Sequence, residues 1–269
     1  MYTSFYAMST NPFVKDVDTK FSYESNDYRQ IMDRLNYLKD IKGIGLITGN
    51  SGLGKTYTIR CFLDKLNKDL YKIIYLSVNK ISLFDFYKSV AECLGLEVSN
   101  YKADVYNKIQ NEIKRLVNEE RITPVIIIDN AHNLSRETLL DLNVLYDFEM
   151  DSKDYVVLVL AGNPEIKSEL SKTIHNSLMQ RIIVNYSIEG LSREETKEYI
   201  QTRLSIANVE NEIFTADAIN ALYSGSKASP RVINSLALNS LMLGSQKRST
   251  KIDAEIIRLA KEELDINER

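Results

Sequence analysis

A glycine-rich segment near residue 50 has the composition of a phosphate-binding loop. It reads Gly49-Asn50-Ser51-Gly52-Leu53-Gly54-Lys55-Thr56 and lies between a predicted strand and a predicted helix. Glycines let backbone N–H groups approach a phosphate, and a helix N-terminus adds positive partial charge. We therefore expect ATP as cofactor, with Lys55 at the β- and γ-phosphates and the Thr56 hydroxyl on Mg²⁺. The predicted nucleotide contacts are Asn50, Ser51, Gly52, Leu53, Gly54, Lys55, Thr56 and Tyr57.

A second apolar run ends in a carboxylate that suits the same site. Residues 125–128 read Val-Ile-Ile-Ile, and Asp129 follows them. A carboxylate at the end of such a strand predicts a Mg²⁺ ligand that acts through water. The next residue, Asn130, can orient water but cannot accept its proton. We assign both residues to catalysis and expect slow ATP hydrolysis, or hydrolysis assisted by another carboxylate such as Glu149.

Three further polar residues occupy positions where phosphate contacts are expected. Asn163 follows the apolar run 156–161, and we interpret it as a γ-phosphate sensor; the alternative is a turn residue, since Gly-Asn-Pro favours turns. Arg181 stands at the start of the last predicted strand, and Arg231 at the start of a predicted helix. Taken alone, each arginine is more commonly a solvated surface residue. A guanidinium at either position would stabilise charge on a transferring phosphoryl group, as a subunit-bridging finger (Arg181) or an intramolecular sensor (Arg231).

Alternating strands and helices must position these residues. Continuous apolar strands that alternate with helices indicate a parallel sheet covered on both faces. From Leu191 onward only helical periodicity remains, and Ser192 with Glu195 predicts a capping box. We predict a doubly wound α/β domain with a five-stranded parallel sheet over 1–190, including an N-terminal arm, and a small all-helical lid domain over 191–269. The predicted strands cover 44–48, 73–78, 125–129, 155–161 and 181–186, and the predicted helices begin at 55 and cover 82–95, 103–120, 135–149, 193–206, 215–223, 230–243 and 253–264.

Composition and charge limit the classes of function. The 269 residues are 44% hydrophobic and carry a net charge of −3, which gives no global attraction to nucleic acid or anionic membrane. No apolar run approaches the roughly 18 to 20 residues that span a bilayer, and no secretory signal is visible. We expect a cytoplasmic protein with no membrane partner, and any DNA contact must come from a local patch.

Taken together, the motifs resemble the AAA+ superfamily, in particular the ExeA-type secretion ATPases and the TnsC, TniB and MuB group of transposition helpers. In that family, a glutamate is usual at the position of Asn130, and a glutamine is commoner at that of Asn163. Both departures favour a switch that remains in its ATP-bound form. The resemblance rests on Asn11-Pro12-Phe13, the P-loop, Ile127-Ile128-Asp129-Asn130-Ala131-His132-Asn133-Leu134, Leu160-Ala161-Gly162-Asn163-Pro164-Glu165, Gln180-Arg181-Ile182, the segment 190–196 and Ser229-Pro230-Arg231-Val232-Ile233-Asn234.

The resemblance implies an ATP-dependent homo-oligomer, either a ring or a helical filament. ExeA-type proteins usually carry a membrane anchor after the ATPase domain, whereas this sequence ends at Arg269. We therefore expect a regulator that binds duplex DNA and recruits or activates a transposase or acts with a target selector. The alternatives are an assembly ATPase for a secretion or pilus system and a nucleotide-gated signalling switch. The expected DNA contacts are Lys80, Lys88 and Lys102, although lysines more often decorate a solvated helix face.

Overall fold

The computed structural model describes residues 2–15, 18–149 and 152–267. Its centre is a five-stranded parallel sheet with the spatial order β2-β3-β4-β1-β5. The α/β sheet predicted from the apolar runs is thus confirmed. The strands are β1 (Gly43–Thr48), β2 (Tyr71–Ser77), β3 (Thr123–Asp129), β4 (Val157–Gly162) and β5 (Ile182–Ser187).

Burial of side chains distinguishes the central strands of the sheet from its edge strands. Every residue of β1 and β4 is buried, and so is every residue of β3 after Thr123. Burying one aliphatic side chain contributes about 1.5–3 kcal/mol, so these three strands form the centre of the core. The edge strands β2 and β5 contain exposed positions. Because the strands are parallel, their carboxyl ends all lie at one edge of the sheet, where α/β proteins bind ligands.

Helices of varied length connect and precede the strands. Ser82 and Ser135 accept hydrogen bonds from the backbone at the starts of two of these helices, as N-caps do. The helix predicted over 135–149 ends at Leu145, and the one predicted over 103–120 ends at Arg115, followed by a π-helical turn. The helices are α1 (Tyr2–Phe5), α2 (Asn26–Ile41), α3 (Lys55–Asp64), α4 (Leu83–Leu94), α5 (Lys102–Arg115), α6 (Arg136–Leu145), α7 (Glu165–Leu170) and α8 (Asn176–Gln180).

The chain divides into two compact units. One contains the described parts of 30–51 and 55–188 with the sheet, and the other contains the described parts of 1–29, 52–54 and 189–269. The second unit holds α9 (Arg193–Ile206), α10 (Ala216–Ser226), α11 (Pro230–Gln246) and α12 (Ala254–Asn267). The predicted capping box of Ser192 and Glu195 is present at the start of α9. None of the helices in the described part of the chain combines the length and hydropathy needed to cross a bilayer.

The N-terminal segment belongs to the helical unit, whereas the sequence pattern predicted that it is an arm of the sheet domain over 1–190. Tyr6 and Phe13 are buried in the apolar core of the helical unit. The Tyr6 hydroxyl donates to the carbonyl oxygen of Ser249 (2.9 Å), and the Phe13 ring meets the Phe214 ring edge-on at 6.2 Å. Burial of these aromatic rings, which sequence periodicity does not reveal, ties the first residues to the last four helices.

Candidate functional site

The loop between β1 and α3 has the backbone that its glycines permit. Gly52 and Gly54 have φ angles of +86° and +100°, in the left-handed region that favours glycine. A Cβ built on Gly54 would meet no atom within 4 Å, so open space adjoins the loop at this position. That space, beside a helix N-terminus, suits an anionic group such as a phosphate.

Lys55 is held against the start of the same loop. Its Nζ donates to the carbonyl oxygens of Gly49 (2.6 Å) and Asn50 (2.9 Å), and the residue is 8% exposed. These two bonds hold the ammonium group at the start of the glycine-rich loop, on the backbone of the motif itself. Of the other predicted contacts, Asn50, Ser51 and Thr56 are exposed, and Gly52, Leu53, Gly54 and Tyr57 are half-buried. The guanidinium of Arg60 lies 5.2 Å from the centre of the Tyr57 ring.

The structure brings Thr56 and Asp129 together. The Thr56 hydroxyl donates to Asp129 Oδ2 at 2.7 Å, and the backbone N–H of Asn130 donates to Oδ1 at 2.8 Å. Asp129 is 3% exposed, at the end of β3. A hydroxyl and a buried carboxylate at hydrogen-bond distance supply the oxygen donors that Mg²⁺ prefers.

Tyr75 is a member of this cluster that no sequence motif indicated. Its hydroxyl donates to Asp129 Oδ2 at 2.9 Å from the neighbouring strand β2. Burial, and then the hydrogen bond to Asp129, raise the pKa of Tyr75 to about 12, so the phenol remains a donor at neutral pH. The signal in the sequence was a phenol set between the apolar residues Ile74 and Leu76 of the predicted strand.

Asn130 stands at a backbone position that limits which residues fit. Its φ and ψ angles are 58° and 35°, in the left-handed helical region, which asparagine adopts more readily than most residues. The side-chain Nδ2 donates to Ser77 Oγ at 3.3 Å. The backbone therefore gives a physical reason for an amide here, independent of its role toward water.

Asn163 lies immediately after β4, where its side chain meets His132. The backbone N–H of Asn163 donates to His132 Nδ1 at 3.2 Å, and the side-chain amide lies 3.3 Å from His132 Nε2. The Gly-Asn-Pro segment also makes a turn, since the carbonyl oxygen of Asn163 accepts from Ile166 N–H at 3.2 Å. Turn formation and a polar contact therefore occur at the same residue.

The two predicted arginines have defined surroundings in the chain. Arg181 Nη1 donates to the carbonyl oxygens of Asn143 (3.3 Å) and Tyr146 (3.5 Å), at the C-terminus of α6 where a cation is favoured. Within the helical unit, the carbonyl oxygen of Gly52 accepts from Ser229 Oγ (3.2 Å) and from the backbone N–H of Arg231 (3.4 Å). A Cβ on Gly52 would lie 2.7 Å from Ser229 Oγ, which explains a glycine at this position.

The three lysines expected to contact DNA differ in their surroundings. Lys80 is exposed in the bend that follows β2. The ammonium group of Lys88 lies 4.4 Å from the centre of the Phe84 ring. Lys102 forms an ion pair with Asp141, so its charge is largely compensated within the chain.

Comparison with known proteins gives one family match and a close structural likeness. Residues 39–170 match the family model described as an AAA domain. The chain is 30% identical over 267 residues to general secretion pathway protein A of Aeromonas hydrophila, an alignment that covers 97% of this chain and 48% of that protein. The chain therefore spans about half the length of this curated relative.

Two solved structures have closely similar folds. Cdc6p from Pyrobaculum aerophilum aligns with a TM-score of 0.70 at 15% identity and covers 92% of this chain and 71% of that one. The Aeropyrum pernix ORC1 protein in complex with DNA aligns with a TM-score of 0.67 at 18% identity and covers 94% and 68%. At these identities, the likeness shows a shared fold.

Proposed function

Because the chain has the α/β P-loop AAA+ fold, with an AAA-domain match over 39–170, we propose that it binds ATP with Mg²⁺ and hydrolyses ATP slowly. One observation carries this proposal. The Thr56 hydroxyl and the buried Asp129 carboxylate lie 2.7 Å apart directly beside the glycine-rich loop. A carboxylate that is buried at the end of β3 and bonded to a hydroxyl has no role in apolar packing, and these oxygen atoms fit a hard divalent cation.

The residues present can divide the work of binding. Lys55 would contact the β- and γ-phosphates, while Thr56 and Asp129 would hold Mg²⁺, which neutralises phosphate charge when it is bound. Asn163 would donate to the γ-phosphate. Asn130 would orient a water molecule but could not accept its proton, and this is the reason to expect slow hydrolysis.

Equilibrium binding of a fluorescent nucleotide tests the proposal. The wild-type protein, Lys55→Ala and Asp129→Asn are titrated with N-methylanthraniloyl-ATP (mant-ATP), with and without Mg²⁺. We expect Lys55→Ala to weaken binding at least about tenfold, because the variant cannot make charge-assisted hydrogen bonds to the phosphates. Asp129→Asn should remove most of the Mg²⁺ dependence. The exposed Lys68 gives the matched control, Lys68→Ala. Equal affinity in all four proteins would refute nucleotide binding at this loop.

For the biological role, we propose a cytoplasmic ATP-dependent oligomer that binds duplex DNA and recruits or activates a transposase at its target. The likeness to an ORC1 protein solved in complex with DNA supports the DNA part of this proposal. Arg181 would act as a finger toward a neighbouring subunit, and Arg231 as a sensor of the γ-phosphate. DNA contacts by several subunits would add, so that weak contacts in each could give firm binding.

A second candidate role is an assembly ATPase of a secretion system. The 30% identity with general secretion pathway protein A extends over 97% of this chain and favours that role. Fluorescence anisotropy of a labelled DNA duplex separates the two candidate roles. The protein is titrated into the duplex with ATP, with ADP and without nucleotide, each at two salt concentrations. ATP-dependent binding that weakens with salt would favour the DNA regulator. ATP-dependent assembly without DNA binding would favour the secretion role.

A further inference from the structure

His132 lies against Asn163 where the chain leaves β3 and β4. Both ring nitrogens are engaged: Nδ1 lies 3.2 Å from the backbone nitrogen of Asn163, and Nε2 lies 3.3 Å from its side-chain amide nitrogen. The histidine is half-buried in the short 3-10 turn Ala131–Asn133. A Cβ on Gly162 would lie 3.1 Å from the His132 backbone nitrogen and 3.3 Å from Nδ1, so the glycine leaves room for this approach.

The chemistry of these contacts fixes the tautomer of the ring. A backbone N–H can only donate, so His132 Nδ1 is the acceptor and carries no proton. In a neutral imidazole, the proton then resides on Nε2, which becomes a donor toward the Asn163 side chain. A donor requires an acceptor opposite it. The structure places the amide nitrogen of Asn163 opposite Nε2, and the positions of the amide nitrogen and oxygen are assigned from the hydrogen bonds that they make. Turning the amide by 180° places Oδ1 toward Nε2 and directs the NH₂ group away from the ring.

We propose that His132 is a positioning residue that sets the orientation of the Asn163 amide, so that its NH₂ group faces the γ-phosphate of bound ATP. This inference rests on the proposed nucleotide-binding function. Without the ring, the amide could present its oxygen, which would repel an anionic phosphate, as readily as its NH₂ group. His132 would thereby set how strongly the protein prefers ATP over ADP, because only ATP offers a γ-phosphate to this donor.

Nucleotide discrimination provides the first test. A non-hydrolysable mant-ATP analogue and mant-ADP are titrated into the wild type, His132→Leu and His132→Gln, with Asn133→Ala as a control in the same turn. We expect His132→Leu to reduce the preference for the ATP analogue about tenfold, with ADP affinity unchanged within a factor of two. His132→Gln should restore most of the preference, since its terminal amide can donate to Asn163 from the position of Nε2. An unchanged ADP affinity would show that the variant is folded.

The tautomer provides a second test that needs no nucleotide. Long-range ¹H–¹⁵N correlation spectra of the histidine rings should show His132 protonated at Nε2 alone, and its signals are assigned by their disappearance in His132→Gln. Protonation at Nδ1 would overturn the inference, and so would a His132→Leu variant that keeps the wild-type preference for ATP. If the wild type binds neither nucleotide, both the proposed function and this inference are wrong. If it binds both nucleotides and only the His132 results differ from expectation, the inference alone fails.

Discussion

Three hydrogen bonds fix the carboxylate of Asp129: Thr56 and Tyr75 donate to Oδ2, and the Asn130 backbone N–H donates to Oδ1. A single carboxylate with this many donors has little rotational freedom. Its orientation toward a cation is therefore set before the cation binds. Part of the loss of conformational entropy that binding would require has already occurred on folding.

Replacing Tyr75 by phenylalanine should loosen this arrangement. The change removes one donor to Asp129 Oδ2, so we expect Tyr75→Phe to raise the Mg²⁺ concentration for half-maximal mant-ATP binding several-fold. Folding stability should fall by about 1 kcal/mol, the usual value of one hydrogen bond. Tyr71→Phe, at the other end of β2, is the matched control. An unchanged Mg²⁺ requirement would show that Thr56 and the backbone suffice to orient Asp129.

Replacing Asn130 by glutamate should change turnover and stability in opposite directions. A carboxylate can accept a proton from the attacking water, so phosphate release should rise on the order of tenfold or more. The left-handed backbone at residue 130 (φ 58°) should cost the variant about 1–2 kcal/mol, measured by urea denaturation. Asn130→Asp tolerates this backbone better and is the comparison. An unchanged rate in a folded Asn130→Glu variant would show that proton acceptance does not limit hydrolysis.

At this scale, the sequence predicted residues that act through fixed local spacing. Lys55 and Thr56 belong to one continuous motif, and Asp129 ends a recognisable apolar strand. Tyr75 is separated from Asp129 by 54 positions, and His132 from Asn163 by 31. Such pairings depend on which strands are neighbours and in what register, information that no single stretch of sequence contains.

At the scale of elements, Glu195 links the beginnings of two helices. Its Oε2 accepts from the backbone N–H of Ser192, completing the capping box of α9, and its Oε1 accepts from the N–H of Asn26 at the start of α2 (2.6 Å). The capping box could be predicted because its two residues are three apart. The contact with Asn26 could not, since it joins residues separated by 169 positions.

Glu195 should therefore contribute more to stability than an ordinary cap. Ser192→Ala removes one cap acceptor and should cost about 1 kcal/mol. Glu195→Ala removes acceptors for two helix starts and should cost more than Ser192→Ala. Urea denaturation measures both, with the exposed neighbour Glu194→Ala as control. If Glu195→Ala and Ser192→Ala cost the same, the bond to Asn26 adds no net stability.

The periodicity of hydrophobic residues predicted which segments form helices and which form strands. The residues at which these elements end depend on contacts with distant parts of the chain. All five strands arise from apolar runs, and the predicted lid helices begin within one residue of their observed starts. The helix predicted to reach residue 149 stops at Leu145, because the chain turns there and the carbonyl oxygens near its end accept from Arg181. That arginine lies over thirty residues away, so the local pattern could not place the end of the helix.

At the scale of the whole molecule, a net charge of −3 means that DNA binding would depend on a few local cations. The ion pair with Asp141 already compensates Lys102, whereas Lys80 is exposed. A lysine held by a carboxylate must give up that partner before it neutralises a phosphate. Lys80 is consequently the better candidate among the lysines that the sequence indicated.

The affinity for duplex DNA, measured with ATP at several salt concentrations, can rank these lysines by their contribution to binding. We expect Lys80→Ala to weaken binding uniformly across sequences and to reduce the slope of log K against log salt by about one, the value for a single phosphate neutralised by a lysine. Lys102→Ala should change neither quantity, while Asp141→Asn, which releases the Lys102 ammonium, should strengthen binding. If Lys102→Ala had the larger effect, the ion pair would have to break on DNA. If neither Lys80→Ala nor Lys102→Ala changed a measurable affinity for the duplex, the DNA-binding surface would lie elsewhere in the chain. An absence of duplex binding in every nucleotide state would favour the secretion role.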